Sequence, residues 1–296
     1  MEEYTRTDLA CECGVRERKG LPPEIYREER EGEVLVTRLH ISDQEQSELF
    51  GKPQGHYVTF LCGKIWLMGD EEFSALAEIL AREIRSFAKK MTGKTPDRAF
   101  GVLVAGLGNA EITSDAIGPR AVSGLNVTRH LRGVNEALYD TVGRCEISAL
   151  SPGVLGQTGI ETVELVRGAV ENARPDLVVV IDALAARSCA RLATTVQLCD
   201  SGLTPGSGVG NERKGINGET VGVPVLALGV PTVVDSSTLV YDALHEAGIE
   251  EISTDLCEVL HNGKSFFVSP KEIDVIASRV AELLAVAIDL AFIREE

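Results

Sequence analysis

Apolar and polar positions alternate early in the chain. Val34–Ile41 reads Val-Leu-Val-Thr-Arg-Leu-His-Ile and Tyr57–Leu61 reads Tyr-Val-Thr-Phe-Leu. A period of two sends successive side chains to opposite faces, so both stretches are predicted strands. Gly51-Lys52-Pro53-Gln54-Gly55 between them is a predicted turn. From Asp70 to Met91 the period changes: Phe73, Leu76, Ala77, Leu80, Ile84, Phe87 and Ala88 recur at steps of three and four and form one helical stripe. Asp70, Glu71 and Glu72 suit the positive end of that helix dipole, and Lys89 and Lys90 suit the negative end.

From residue 99 the pattern becomes continuous apolar runs alternating with helices. Ala99–Ala105, Leu177–Asp182, Thr194–Cys199 and Val223–Val230 are predicted strands. Helices are predicted over Asp115–Leu131 (on Ile117, Ala121, Val122 and Leu125, with Pro119 in the first turn), Ile160–Asn172 and Pro270–Phe292. Strands without polar alternation are buried on both faces. The expected fold is therefore α/β, a mostly parallel central sheet between helices, with residues 9–95 as a β-containing N-terminal flank. No internal repeat or low-complexity tract interrupts it.

Composition narrows the function classes. The 296 residues carry 29 Lys and Arg against 45 Asp and Glu, a net charge of −16. That balance opposes a broad phosphate-binding face, so no direct nucleic-acid partner is expected. No apolar run approaches membrane-spanning length and the first residues lack a secretory pattern, so neither membrane nor export is expected. Seven scattered cysteines suggest reduced thiols in a cytoplasm-like compartment. Cys11-Glu12-Cys13 has no second ligand pair, so no metal site is expected there.

Ligand sites in open α/β sheets form at the carboxyl ends of strands. Asp115 follows the first apolar strand, and Asp182 ends the next. If those strands are neighbours, both carboxyls enter one crevice. Two acids held close do not both ionise near neutral pH, and such a pair can act as general acid and general base around one water. The plainer alternative is that Asp115 is a helix N-cap and Asp182 holds a loop. Gly106-Leu107-Gly108 starts a dinucleotide fingerprint that Glu111 breaks, and Gly206–Gly210 lacks the P-loop spacing. Gly156, Gly159, Gly206, Gly208 and Gly210 remain candidates for backbone contacts to a substrate carbonyl, the last three alternatively forming a surface loop. There is no G-x-S-x-G elbow. A Cys/His pair drawn from distant residues stays open.

Several motifs then occur together and in order: Gly106-Leu107-Gly108-Asn109, Thr113-Ser114-Asp115-Ala116-Ile117-Gly118-Pro119, Ser151-Pro152-Gly153-Val154-Leu155-Gly156, Ile181-Asp182-Ala183-Leu184-Ala185, Pro205–Asn211 and Gly229–Asp235. Arg6-Thr7-Asp8-Leu9-Ala10 precedes them and Val268–Asp274 follows. The set resembles the germination protease family of spore-forming bacteria. The resemblance implies an endopeptidase that degrades small acid-soluble spore proteins in the spore core. It implies a self-processing zymogen, a homotetramer, no cofactor, and a core similar to that of hydrogenase-maturation endopeptidases. It also implies that Asp115 and Asp182 form an aspartic-type pair. The family's substrate pattern of acid, bulky apolar residue, Ala, small polar residue and Glu is similar to Asp8-Leu9-Ala10-Cys11-Glu12. Self-cleavage is therefore expected at Asp8–Leu9, releasing residues 1–8 and leaving 9–296 as one α/β domain. A metal-dependent maturation endopeptidase and a non-catalytic α/β scaffold are the competing readings.

Overall fold

A computed structural model describes residues 7–14, 20–206, 213–249 and 266–294, together with 253, 255, 256 and 259. A nine-stranded mixed sheet organises them. Its strands are β1 (Tyr26–Glu31), β2 (Val34–Ile41), β3 (Gly55–Leu61), β4 (Gly101–Gly106), β5 (Glu146–Leu150), β6 (Leu177–Ala186), β7 (Thr195–Cys199), β8 (Val225–Asp235) and β9 (Phe267–Val268). The spatial order is β1-β2-β3-β7-β8-β6-β4-β5, with β9 on β8. The β8-β6-β4-β5 half is parallel, and β1, β2, β3 and β7 continue it antiparallel. The N-terminal flank therefore extends the central sheet.

The helices are α1 (Gln44–Phe50), α2 (Asp70–Thr92), α3 (Ile117–Ser123), α4 (Arg129–Val134), α5 (Glu136–Val142), α6 (Leu155–Thr158), α7 (Thr162–Ala173), α8 (Gly218–Val221), α9 (Ser236–Glu246) and α10 (Ile273–Ala291). The stripes of α2 and α10 cover one sheet face, where they meet Val179 and Ile181 of β6. Val163, Val166 and Val170 of α7 cover the other, where they meet Val178 and Val180. Each such valine or isoleucine removed from water contributes about 1.5–3 kcal/mol, which is why β6 tolerates no polar alternation before Asp182. Among the described residues, no helix is long and apolar enough to cross a membrane.

Two expectations change. The single helix over Asp115–Leu131 is broken. Gly124 closes α3 by bonding back to Ala121 and Val122 carbonyls. The next residues are held by distant partners: Asn126 N–H donates to Asp289 at 3.3 Å, Thr128 N–H to Ile147 O at 2.9 Å, and Thr128 Oγ1 to Cys145 O at 2.6 Å. Tertiary hydrogen bonds override the helical spacing there. Second, β6 does not stop at Asp182. It runs on to Ala186 because β8 pairs with it throughout, with one register shift after Leu184.

Candidate active site

Asp115 is presented by a tight return of the chain after β4. Leu107 N–H donates to Ile181 O at 2.8 Å, tying the strand end to β6. Gly108 then adopts φ +107°, and a Cβ there would lie 2.1 Å from Asp115 O. A 3₁₀ turn over Thr113–Asp115 follows, held by Thr232 Oγ1 donating to Ser114 O at 2.6 Å. Asp115 does not cap α3, whose N-cap is Ala116. Its Oδ2 instead accepts from Asn109 N–H at 2.7 Å. Burial raises its pKa above the usual carboxylate value, and the Asn109 hydrogen bond partly opposes this.

Asp182 sits within β6, 8% exposed, opposite Gly229 of β8. Ala183 N–H donates to its Oδ1 at 3.0 Å. Burial pushes its pKa well above the ordinary range, and the nearby charges of Asp115 and Asp8 push the same way. The two carboxyls predicted from the sequence thus share one environment. Both line a cleft of about 1080 Å³.

A further carboxylate in that cleft, in addition to Glu161 on its wall, comes from the chain's own N-terminal segment. Asp8 N–H donates to Ala185 O at 2.9 Å, and Ala185 N–H donates to Asp8 Oδ2 at 2.8 Å. These contacts use the unpredicted extension of β6. Lys52 Nζ donates to Thr7 O at 2.9 Å. Leu9 is fully buried among Cys11, Leu184, Ala186, Leu192 and Val234. Its N–H donates to Thr7 Oγ1 at 3.0 Å. Ala10 opens a 3₁₀ turn that ends at Glu12. Glu12 accepts from Arg187 N–H at 2.7 Å and Ser188 N–H at 2.9 Å, with Arg191 Nε at 3.6 Å. Gln197 of β7 touches the segment twice: Nε2 donates to Asp8 O at 3.2 Å and Oε1 accepts from Ala10 N–H at 2.7 Å.

Of the candidate glycines, Gly156 and Gly206 line the cleft, whereas Gly159 closes α6 at φ +70° and is not part of the cleft lining. Gly208 and Gly210 lie outside the described residues. Cys199 also lines the cleft, but burial pushes its thiol up to about 11, away from the thiolate a nucleophile needs. Among the described residues no group of three or more His, Cys, Asp and Glu is placed to hold a metal ion. Lys52, Gln197 and the Arg187–Ser188 amides were not singled out from the sequence. Backbone donors leave no trace in residue type. Gln197 did leave one: it is the polar break in the run Val196-Gln197-Leu198, as Asp182 is after Val178–Ile181.

The sequence profile of the germination protease family of peptidases matches residues 11–247. Germination proteases from Caldanaerobacter subterraneus and Clostridium acetobutylicum are 38% and 36% identical, over 97% of this chain and 93% and 94% of their own lengths. The germination protease of Priestia megaterium is 42% identical over 82% of this chain and 67% of its own. Among solved structures, a NiFe hydrogenase maturation protease from Thermococcus kodakarensis aligns with a TM-score of 0.34 and 19% identity, over 64% of this chain and 92% of that one. The chain belongs to the germination protease family.

Proposed function

We propose that this endopeptidase cuts its own chain at Asp8–Leu9 and then cuts small acid-soluble spore proteins at sites of the same pattern, in the spore core and as a homotetramer, using Asp115 and Asp182 as an aspartic-type pair. The observation that carries the reading is that Asp8 lies in the cleft that holds both carboxyls, with its charge close enough to raise Asp182.

The roles follow from the two environments. Asp182, more deeply buried and facing two other carboxylates, holds the proton. Asp115, steadied by the Asn109 N–H, is the carboxylate. In the proposed reaction Asp115 takes a proton from water as its oxygen adds to the Asp8 carbonyl carbon, and Asp182 gives its proton to the carbonyl oxygen. The resulting gem-diol collapses: Asp115 passes its proton to the Leu9 nitrogen, the C–N bond breaks, and Asp182 recovers a proton from the diol. One water is consumed, an acid and an amine are released, and both carboxyls return to their starting states.

Mass spectrometry of acidified full-length protein tests this. Wild type should lose residues 1–8, while Asp115→Asn and Asp182→Asn should remain uncut. A wild-type chain that stays intact while it cleaves an acid–Leu–Ala peptide would remove the self-processing step. Full cleavage by both variants would remove the two-carboxylate mechanism.

A further inference from the structure

Gln197 is a buried side chain, 6% exposed, that the proposed chemistry does not yet use. Its amide spans the Asp8–Leu9 bond. The donor end meets the carbonyl oxygen of Asp8 at 3.2 Å, and the acceptor end meets the N–H of Ala10 at 2.7 Å, one residue beyond the bond. A primary amide is the neutral side chain with a donor and an acceptor side by side, and the two backbone groups fix which end faces which. The placement comes from the sheet. Gly229 of β8 pairs with Asp182 on one side and with Gln197 on the other. Residues in register point to the same face, so Gln197 and Asp182 project together into the cleft. Glycine between them makes room for the Leu184 side chain, since a Cβ at 229 would lie 2.4 Å from Leu184 Cδ1.

We infer that Gln197 is a carbonyl-binding and register-setting residue of the cleft. Its Nε2–H stabilises the oxygen on which charge develops as water adds to the scissile carbonyl. Its Oε1 holds the second residue after the cut, so the correct peptide unit faces the acid pair. A protein substrate of the same pattern would be gripped identically, through backbone groups common to all sequences. Selection among sequences then falls to the Leu9 pocket and the Glu12 amides. The inference rests on reading residues 7–12 as lying in the cleft as substrate does.

The test is the self-cleavage rate of the full chain, followed by mass spectrometry. Gln197→Met keeps the length and loses both hydrogen bonds, so cleavage should slow about 100-fold, the usual effect of removing an oxyanion donor. Gln197→Glu keeps the shape and the acceptor but presents a carboxylate to the Asp8 oxygen. When protonated, that carboxyl again has a donor and an acceptor. Its rate relative to wild type at each pH should therefore climb as pH falls, a response that a packing role would not produce. A wild-type rate in Gln197→Met, or a flat Gln197→Glu ratio across pH, overturns the assignment. If Gln197→Met does not fold, the Gln197→Glu ratio alone decides. Wild type that cuts, with inert Asp115→Asn and Asp182→Asn and unimpaired Gln197 variants, refutes this inference alone. Wild type that never cuts at Asp8–Leu9 refutes the reading beneath it.

Discussion

Asp182 and Gln197 flank Gly229 in one row across the sheet, one from the parallel strand β6 and one from the antiparallel strand β7. Two strand spacings put their backbones roughly 9–10 Å apart. The N-terminal segment lies on this row, bonded to Ala185 of β6 through Asp8 and to Gln197 of β7 through Asp8 and Ala10. The junction of the two half-sheets thus holds the N-terminal segment at the cleft that both carboxyls line.

The pH dependence of cleavage should be bell-shaped. The proposed mechanism needs one proton on the pair, and both carboxyls are shifted upward, chiefly by burial. As pH falls from the alkaline side, activity should appear when Asp182 takes its proton, and decline when Asp115 is protonated too. Rate profiles of self-cleavage check this, and a rate that keeps rising to alkaline pH would contradict it. A chelator or added nickel should leave the profile unchanged.

Stability should respond oppositely to function at Asp182. Its folded-state pKa is raised above the unfolded value, so the folded state binds the proton more tightly. The group's favourable contribution is complete below the unfolded pKa and is lost as pH rises through the folded one. At pH 8 the wild type therefore carries a penalty that Asp182→Asn lacks. Each pKa unit corresponds to about 1.4 kcal/mol, and about 1 kcal/mol moves Tm by roughly 2–4 °C in a chain somewhat shorter than this. Asp182→Asn should melt higher than wild type at pH 8, and the gap should narrow toward pH 4. Thermal unfolding at the two pH values measures it.

The parts legible in the sequence were those set by local periodicity or by residue type. The stripe Phe73–Ala88 and the apolar run Val178–Ile181 appear where expected because burial dictates both patterns. Asp115 and Asp182 stood out because a carboxylate after an apolar strand is conspicuous. The polar strand β1, Tyr-Arg-Glu-Glu-Arg-Glu, was not legible. It sits at the sheet edge, and its place depends on β2 rather than on burial of its own side chains. The extension of β6 past Asp182 and the break at Gly124 were hidden for the same reason: both are fixed by hydrogen bonds to residues distant in sequence.

Gly108→Ala should damage both the site and the fold. A side chain at φ +107° is strained in itself, and the added carbon would lie 2.1 Å from Asp115 O and 2.8 Å from Asp115 Oδ1. The Asp115 turn must move to accept it. A loss of about 2–4 kcal/mol is expected, with cleavage falling at least as far as in Asp115→Asn. Gly133→Ala is the matched control. It lies in helix α4 with nothing within 4 Å of its Cβ, so it should be neutral or slightly stabilising. Denaturant unfolding of the two variants separates the effects.

Glu12 should govern how firmly the segment is held. Its side chain is 6% exposed, and two backbone N–H groups, the Thr7 hydroxyl and Arg191 surround it. Hydrogen bonds to a charged acceptor contribute about 1.5–3 kcal/mol each, against about 0.5–1.5 for neutral pairs. In Glu12→Gln one oxygen becomes an NH₂ that faces a donor, so a buried N–H loses its partner. Hydrogen exchange across Leu9–Cys13 should accelerate by at least tenfold while α2 and α10 remain protected, and self-cleavage should slow because the Asp8–Leu9 bond is presented less often. Arg191→Met should do much less, since its ion pair is long and its side chain is 26% exposed. Equal exchange in Glu12→Gln and wild type would mean that the Leu9 pocket alone holds the segment. A Leu9→Ala chain would then show the larger release.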